Sequence, residues 1–400
     1  MRISTSLVFE RGKNALVDQQ SALSEQQLRL ASGKRYLSPS EDPSAAVQSL
    51  SLTRAIEATQ QFVRNGQMAE SRLMSQETVL ATVNENIQRV RELTLQAANA
   101  SQTDSTRGDI AAEIAQRLDE LVDLANTRDA NGEYVFAGFQ SAQRPFTRVA
   151  GGVQYNGDAG ERYLAVSPER QVRVGDSGRR LFMELPGGNG TFAVAPAAGN
   201  SGGGIIETGS VTDSAAWTGQ DYSIEFTAPD RFTVRDGAGA VVAADVPYVS
   251  DASVTAIPGI EFVIEGAPAA GDRFSISPAR DQSLFATYDE LLAALRTPAE
   301  STASGARLQS TVNRVLTALD GASTAIVDAR ADTGARLRSV ESQRAINEDL
   351  ILNYERTRSA VDDLDYTAAI SEFQQQLTAF QAAQASFARI QGLSLFDFIR

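Results

Sequence analysis

The 400-residue chain contains no cysteine and no histidine. Disulfide cross-links, thiolate chemistry, imidazole general bases and nearly every zinc site are excluded by that alone. Lysine is confined to Lys13 and Lys34, so arginine carries almost all of the positive charge. Acidic residues outnumber basic ones, 50 to 36, for a formal charge of −14. Nucleic acid and anionic membrane are poor partners for such a balance, because both demand a basic face. No run approaches the ~20 apolar residues of a membrane span. The opening MRISTSLVFERGKNALVDQQ has no apolar signal core, since Glu10, Arg11 and Lys13 interrupt it. Neither an anchor nor a cleaved export signal is expected.

What remains is an ordinary globular composition, 42% hydrophobic and 22% charged, long enough for two to three domains with real cores. Phe9, Leu16, Leu23 and Leu30 recur at seven-residue intervals, flanked by Val8, Ala15, Ala22 and Ala31. A seam that narrow belongs to a coiled-coil helix. The turn SPSEDPSAA follows, with Asp42 as a helix N-cap and Pro43 at the first helical position. A long helix then carries Ala69, Leu73, Gln76, Leu80, Val83, Ile87, Val90, Thr94 and Ala97 in 4-3 spacing. Ile114, Leu118, Leu121 and Ala125 resume it after the break ASQTDSTRGD.

At ANGEYVFAG the character changes. Gly132 after Asn131 signals a turn, and Tyr134, Val135 and Phe136 are expected to start a strand. Residues 139–280 alternate short β-like runs with turn residues, as in DYSIEFTAPDRFTVRDGAGAVV. Two small antiparallel modules meeting at AAGNSGGGI are predicted. From about residue 281 the helical period returns, with Leu308, Val312, Val315, Leu319, Ala322, Ile326 and Ala329 in the same 4-3 spacing.

Helices, β insert, helices: each helical half shows one stripe, and two such halves can complete one core. The predicted fold is mainly α with a β insert. A discontinuous helical rod, or coiled coil, built from both chain ends carries an antiparallel β domain of one or two modules. The predicted divisions are a terminal coiled-coil domain (1–42 with 360–400), a helical rod domain (43–138 with 281–359) and a β-rich outer domain (139–280).

No catalytic, cofactor-binding or metal-binding residue is predicted. The densest acidic group, SAVDDLD, reads as a helix start, Ser359 with Asp362 resembling a capping box. GGNG and SGGG lack the Lys-Ser/Thr of a phosphate loop, and GDAGE and DGAGA lack calcium-loop spacing. Asn99 and Asn189 stand in glycan-acceptor triplets, a pattern frequent by chance. Trp217 is the only tryptophan and needs no role beyond the β core. A carbohydrate-active site on Glu184, Glu207 and Asp213 of the insert is the remote alternative, and no spacing supports it.

The terminal seams are the distinctive feature. At the C-terminal end Tyr366, Ile370, Phe373, Leu377, Phe380 and Phe387 recur at helical spacing, and Leu393 and Phe396 follow. Each such side chain contributes roughly 1.5 to 3 kcal/mol when buried. Ordering a residue costs roughly 1 to 2 kcal/mol in backbone entropy. A lone pair of terminal helices is therefore marginal, and other subunits are the expected cover. These residues, with Phe9, Leu16, Leu23 and Leu30, form the predicted assembly interface.

The stretch RISTSLVFERGKNALVDQQSALSEQQLRLASGKRYLSPSEDPSAA resembles the N-terminus of the flagellin superfamily, and its hook-filament junction branch above all. GEYVFAG at 132–138, GARLRSVESQ from Gly334 and ASFARIQGLSLFDFIR from Ala385 continue the likeness. It covers roughly residues 1–140 and 280–400. It implies a non-enzymatic structural subunit of the bacterial flagellum, extracellular and sent through the flagellar export channel with an uncleaved signal. It also implies terminal helices that line the inside of a tube and a junction joining hook to filament. The implied partners are flagellin, the first hook-associated protein, further copies of the chain in a helical ring layer, and an export chaperone. A filament subunit, flagellin itself, is the alternative.

Overall fold

Capping chemistry sets the helix boundaries. The computed structural model describes residues 5–396, with side chains from Leu7 to Arg389 except Val8. Helix α1 spans Thr5–Ser32 and α2 Pro43–Ala98. Asp42 accepts from the Ala45 N–H at 2.9 Å, and Pro43 occupies the first position of α2, where its missing N–H costs nothing. Helix α3 (Asp104–Ala125) begins with a reciprocal box between Thr103 and Thr106. After the β segments come α4 (Leu284–Arg296), α5 (Thr302–Asp362) and α6 (Tyr366–Phe396).

The described chain divides into two compact units, Met1–Arg64 with Gln343–Arg400, and Asn65–Ser342. Within Asn65–Ser342 the stripe from Ala69 to Ala97 is entirely buried, as are Ile114, Leu118, Leu121 and Ala125. Val312, Val315, Leu319, Ala322, Ile326 and Ala329 of α5 join the same core, and α4 adds Phe285, Tyr288 and Leu291.

Tyr134–Phe136 is not a strand. Tyr134 makes only an isolated bridge with Arg128, and the Val135 N–H donates to the Thr127 carbonyl. Gly138 then turns the chain at φ +69°, where the Asp158 carboxylate fills the space a Cβ would need. Phe136 is fully buried against the helices.

The β-rich stretch falls into two parts with different attachments. In the first lie β1 (Phe146–Val149) with β2 (Gly152–Tyr155), and β3 (Tyr163–Ala165) with β4 (Gln171–Arg173), each an antiparallel pair, followed by a π-helical turn at Arg179–Met183. Phe146, Leu181 and Phe182 belong to the helical core, and Val166, Val172 and Val174 pack with Ala69, Leu73 and Val340.

The second part is entered and left through a neck. Strand β5 (Leu185–Pro186) pairs with the last strand, Asp281–Gln282, and the Gly187 N–H donates to the Arg280 carbonyl at 3.1 Å. Between them run β6 (Phe192–Pro196), β7 (Ile205–Ile206), β8 (Ser210–Val211), β9 (Tyr222–Ala228) and β10 (Arg231–Asp236), then β11 (Val241–Pro247), β12 (Ser253–Val254), β13 (Ile260–Glu265) and β14 (Arg273–Pro278). A five-stranded sheet, β11-β10-β9-β14-β6, faces a smaller one built on β13. Both contribute to one core, including Phe192, Ile224, Phe226, Ile264 and Phe274.

The glycine-rich AAGNSGGGI therefore does not separate two modules. Strands on either side of it share the larger sheet, and the buried Asp272 carboxylate ties the loop down by accepting from the Ser201 and Gly202 N–H groups at 2.8 and 3.1 Å. Trp217 packs on the rings of Phe192 and Tyr222. Arg307 of α5 seats the module by donating to the carbonyls of Ala198 and Asn200 at 3.0 Å.

This attachment predicts what can be removed. Joining Gly187 to Arg280 by a short turn is expected to leave the helical core intact, because the neck strands stay paired. Excising 145–278 instead strips Phe146 and Phe182 from that core, at about 3 to 5 kcal/mol each. Thermal unfolding followed by helical circular dichroism separates the two. Loss of the helical transition in the shorter excision would contradict the division.

Candidate assembly interface

Helices α1 and α6 pack antiparallel within the terminal unit. The Phe9 and Phe387 rings meet with centroids 5.1 Å apart. At the opposite end Gly33, at φ +68°, lies against the Tyr366 hydroxyl. The positions turned inward on α1 are Gly12, Leu16, Gln19, Leu23, Gln26 and Leu30, and on α6 Ala369, Phe373, Gln376, Phe380, Ala383 and Phe387. Both sets alternate steps of three and four, so large side chains from α6 sit across from small or polar ones on α1. A Cβ at Gly12 would stand 2.9 Å from the Phe387 ring.

The predicted residues fall unevenly on this seam. Leu23 is buried; Leu16, Leu30, Phe373, Leu377, Phe380 and Phe387 are half-buried; Phe9, Tyr366 and Ile370 remain about half exposed. The side chains of Leu393 and Phe396 lie outside the described residues. Gln26 and Ala369 are buried as well, and hydropathy alone passes over both.

The two connections that join this pair to α2 and α5 are clasped together. Lys34 and Asp363 form an antiparallel bridge, the Arg35 N–H donates to the Asp362 carbonyl at 2.8 Å, and the Leu364 N–H donates to the Gly33 carbonyl at 3.0 Å. Asp362 accepts from the Tyr36 hydroxyl on one oxygen and the Ser49 hydroxyl on the other, each at 2.6 Å. Burial alone would raise the Asp362 pKa, but those two hydrogen bonds and the Lys34 charge hold the carboxyl below the usual carboxylate range.

Ser359 and Asp362 make no capping box. Both lie in the last turn of α5, where Ser359 donates to Asp363 at 2.7 Å, and Asp365 caps α6 by accepting from the Thr367 and Ala368 N–H groups. The acidic helix start is there, but its cap is Asp365, six residues beyond Ser359.

Apolar cover is scarce in this unit. Among its described residues only Leu23, Ala45, Ile56 and Ala369 are buried apolar side chains. Leu7, Val17, Leu28, Val47, Leu50, Ile346, Leu350, Leu352 and Ile370 are exposed. Where such side chains lie together, exposed apolar surface marks protein–protein contact.

Glu184, Glu207 and Asp213 make separate contacts, Glu207 through its backbone. Glu184 lies 3.7 Å from Arg179, Asp213 accepts from the Ala215 N–H at 2.9 Å, and the Glu207 N–H pairs with the Val263 carbonyl. Among the described residues no group of three or more acidic side chains could hold a metal ion. No helix among them is long and apolar enough to cross a membrane.

The family described as "Bacterial flagellin N-terminal helical region" matches residues 3–141. Flagellar hook-associated protein 3 of Escherichia coli is 25% identical over 99% of both chains. The crystal structure of Xanthomonas campestris FlgL is 32% identical, covers 77% of this chain and 99% of its own, and superposes with a TM-score of 0.73. That of the flagellar junction protein FlgL from Legionella pneumophila is 31% identical, covers 80% and 100%, and gives 0.71.

Proposed function

Because the chain belongs to the flagellar hook-associated protein 3 family, we propose that it is a structural subunit of the bacterial flagellum that joins the hook to the flagellin filament. The observation that carries this reading is the thin terminal unit, whose exposed apolar side chains far outnumber its buried ones. Each gains roughly 1.5 to 3 kcal/mol when a neighbour covers it. Repetition of one such contact along a helical lattice gives a head-to-tail, open-ended interface.

The proposed neighbours are further copies of the chain, the first hook-associated protein on the hook side and flagellin on the filament side. An export chaperone holding α6 before secretion, and secretion without a cleaved signal, complete the proposal. The residues of contact are those of the α1/α6 seam and its flanks: Phe9, Leu16, Leu23, Leu30, Tyr366, Ile370, Phe373, Leu377, Phe380 and Phe387, with Leu393 and Phe396 beyond. A filament subunit is the weaker reading. The flagellin-type match stops at residue 141, whereas the hook-associated protein 3 match runs along 99% of the chain.

Deleting the gene is expected to leave hooks without filaments and to release flagellin into the medium, as seen by electron microscopy and blotting. Supplying the chain restores filaments. Normal filaments in its absence would overturn the junction role. Growth of long filaments from the purified chain alone would favour the filament reading.

A further inference from the structure

Both connections of the terminal helix pair pass one carboxylate. Asp362, at the end of α5, takes a hydroxyl from Tyr36 in the α1–α2 connection and another from Ser49 in α2, both at 2.6 Å. Lys34 stands 3.7 Å from it and 3.1 Å from Asp363. The neighbouring acids reach less far: Asp363 binds Lys34 across the bridge and Ser359 four residues before it, and Asp365 caps α6. Asp362 alone gathers side chains from two other segments.

We propose that Asp362 is a positioning residue for assembly, fixing the direction in which the α1/α6 pair leaves α2 and α5 so that all four helices offer their apolar faces to neighbouring subunits as one surface. The inference rests on the assembly role proposed above. Geometry makes the need plain. Residues 33–42 contain no helix, so no continuous helical ladder carries the direction of α1 into α2. At 1.5 Å rise per residue, a swing of about 10° at the joint moves the far end of α1 by roughly 7 Å. Packed interfaces do not tolerate displacements of that size.

The test uses purified full-length chain added with flagellin to hook-bearing cells that lack their own copy. Asp362→Ala is expected to keep the thermal transition of Asn65–Ser342 and the helical content of the chain. Filament-bearing cells should fall by about tenfold or more, the equivalent of one charge-assisted hydrogen bond. Tyr36→Phe should reduce them less, and should add nothing in the Asp362→Ala background.

A covalent substitute then separates positioning from mere stability. Positions 34 and 363 face each other across the bridge, and the chain has no cysteine to compete. Lys34→Cys with Asp363→Cys, combined with Asp362→Ala, should restore filaments when oxidised and lose them when reduced. Should Asp362→Ala fail to fold, Tyr36→Phe with Ser49→Ala removes both hydroxyls, leaves the carboxylate in place and carries the same expectation. Normal assembly by the clasp-deficient chain, or no gain on verified oxidation, would overturn the proposal. If the unaltered chain itself fails to restore filaments, the assembly reading falls, and this one with it.

Discussion

Leu23→Asp is expected to yield a folded protein that supports no filament. Leu23 is the most buried of the described large apolar side chains on α1. Its replacement forfeits roughly 1.5 to 3 kcal/mol of burial and puts a carboxylate with no cationic partner into the buried seam, a further cost of several kcal/mol. The terminal pair has little else to lose, since Ala369 is the only buried apolar residue described on α6. Phe380→Asp should act the same way from the other side of the seam. The unit Asn65–Ser342 has its own core and should keep its calorimetric transition. Filaments in normal number, with the variant in place, would mean that the seam does not carry assembly.

Asp176→Ala should have the opposite profile, destabilising the molecule from its larger unit. The Asp176 side chain is completely buried and meets three arginines: Arg336 at 2.7 Å, Arg173 at 3.3 Å, and Arg180. Gln76, itself buried, donates to it at 2.5 Å and also to Thr333 at 3.0 Å. Arg336 and Arg173 would keep Asp332, each at 2.7 Å, but lose their one fully buried acceptor, and breaking a buried ion pair from one side costs about 3 to 5 kcal/mol. Thermal or urea unfolding measures the loss, and a shift equivalent to less than about 1 kcal/mol would refute the argument.

The same group predicts an acid limb. Burial pushes the Asp176 carboxyl up, but the hydrogen bond and charge of Arg336, then Gln76 and Arg173, pull it down further, leaving it below the usual carboxylate range. Its folded-state pKa therefore lies under the unfolded value of about 3.9. The stabilisation is complete above that unfolded value and is lost as pH falls through the lower folded one. Unfolding measured between pH 5 and about 2 should be less steep in Asp176→Ala than in the unaltered chain.

The helical architecture was legible because its stripes are narrow. Every position of the 4-3 series from Ala69 to Ala97 is buried, including Gln76 and Thr94. The junction-branch resemblance, carried by residues 1–140 and 280–400, agrees with the whole-chain match to flagellar hook-associated protein 3. The extent of the β module was less legible. Short apolar runs look alike whether they pack on helices, as Phe146 and Phe182 do, or on each other, as Phe226 and Phe274 do. At the assembly seam, hydropathy picks out Ile370 and Leu377, while the inward track passes through Ala369 and Gln376 one residue away. The Asp362 and Asp176 networks draw on residues from opposite ends of the numbering, so no local window contains them.

Gly12 and Gly33 give the terminal pair a gauge. They are separated by three heptads, Gly33 just past the end of α1, as Tyr366 and Phe387 are along α6; Gly12 lies against the Phe387 ring and Gly33 against the Tyr366 hydroxyl. A slip of one heptad one way carries Phe387 off Gly12 toward Gln19, and leaves Tyr366 beyond the end of α1. A slip the other way brings Tyr366 onto Gln26 and empties the seat at Gly33. Only one register fills both seats. Sliding one helix along the other would have to move both aromatic side chains off their glycines together, so the two contacts specify the register jointly.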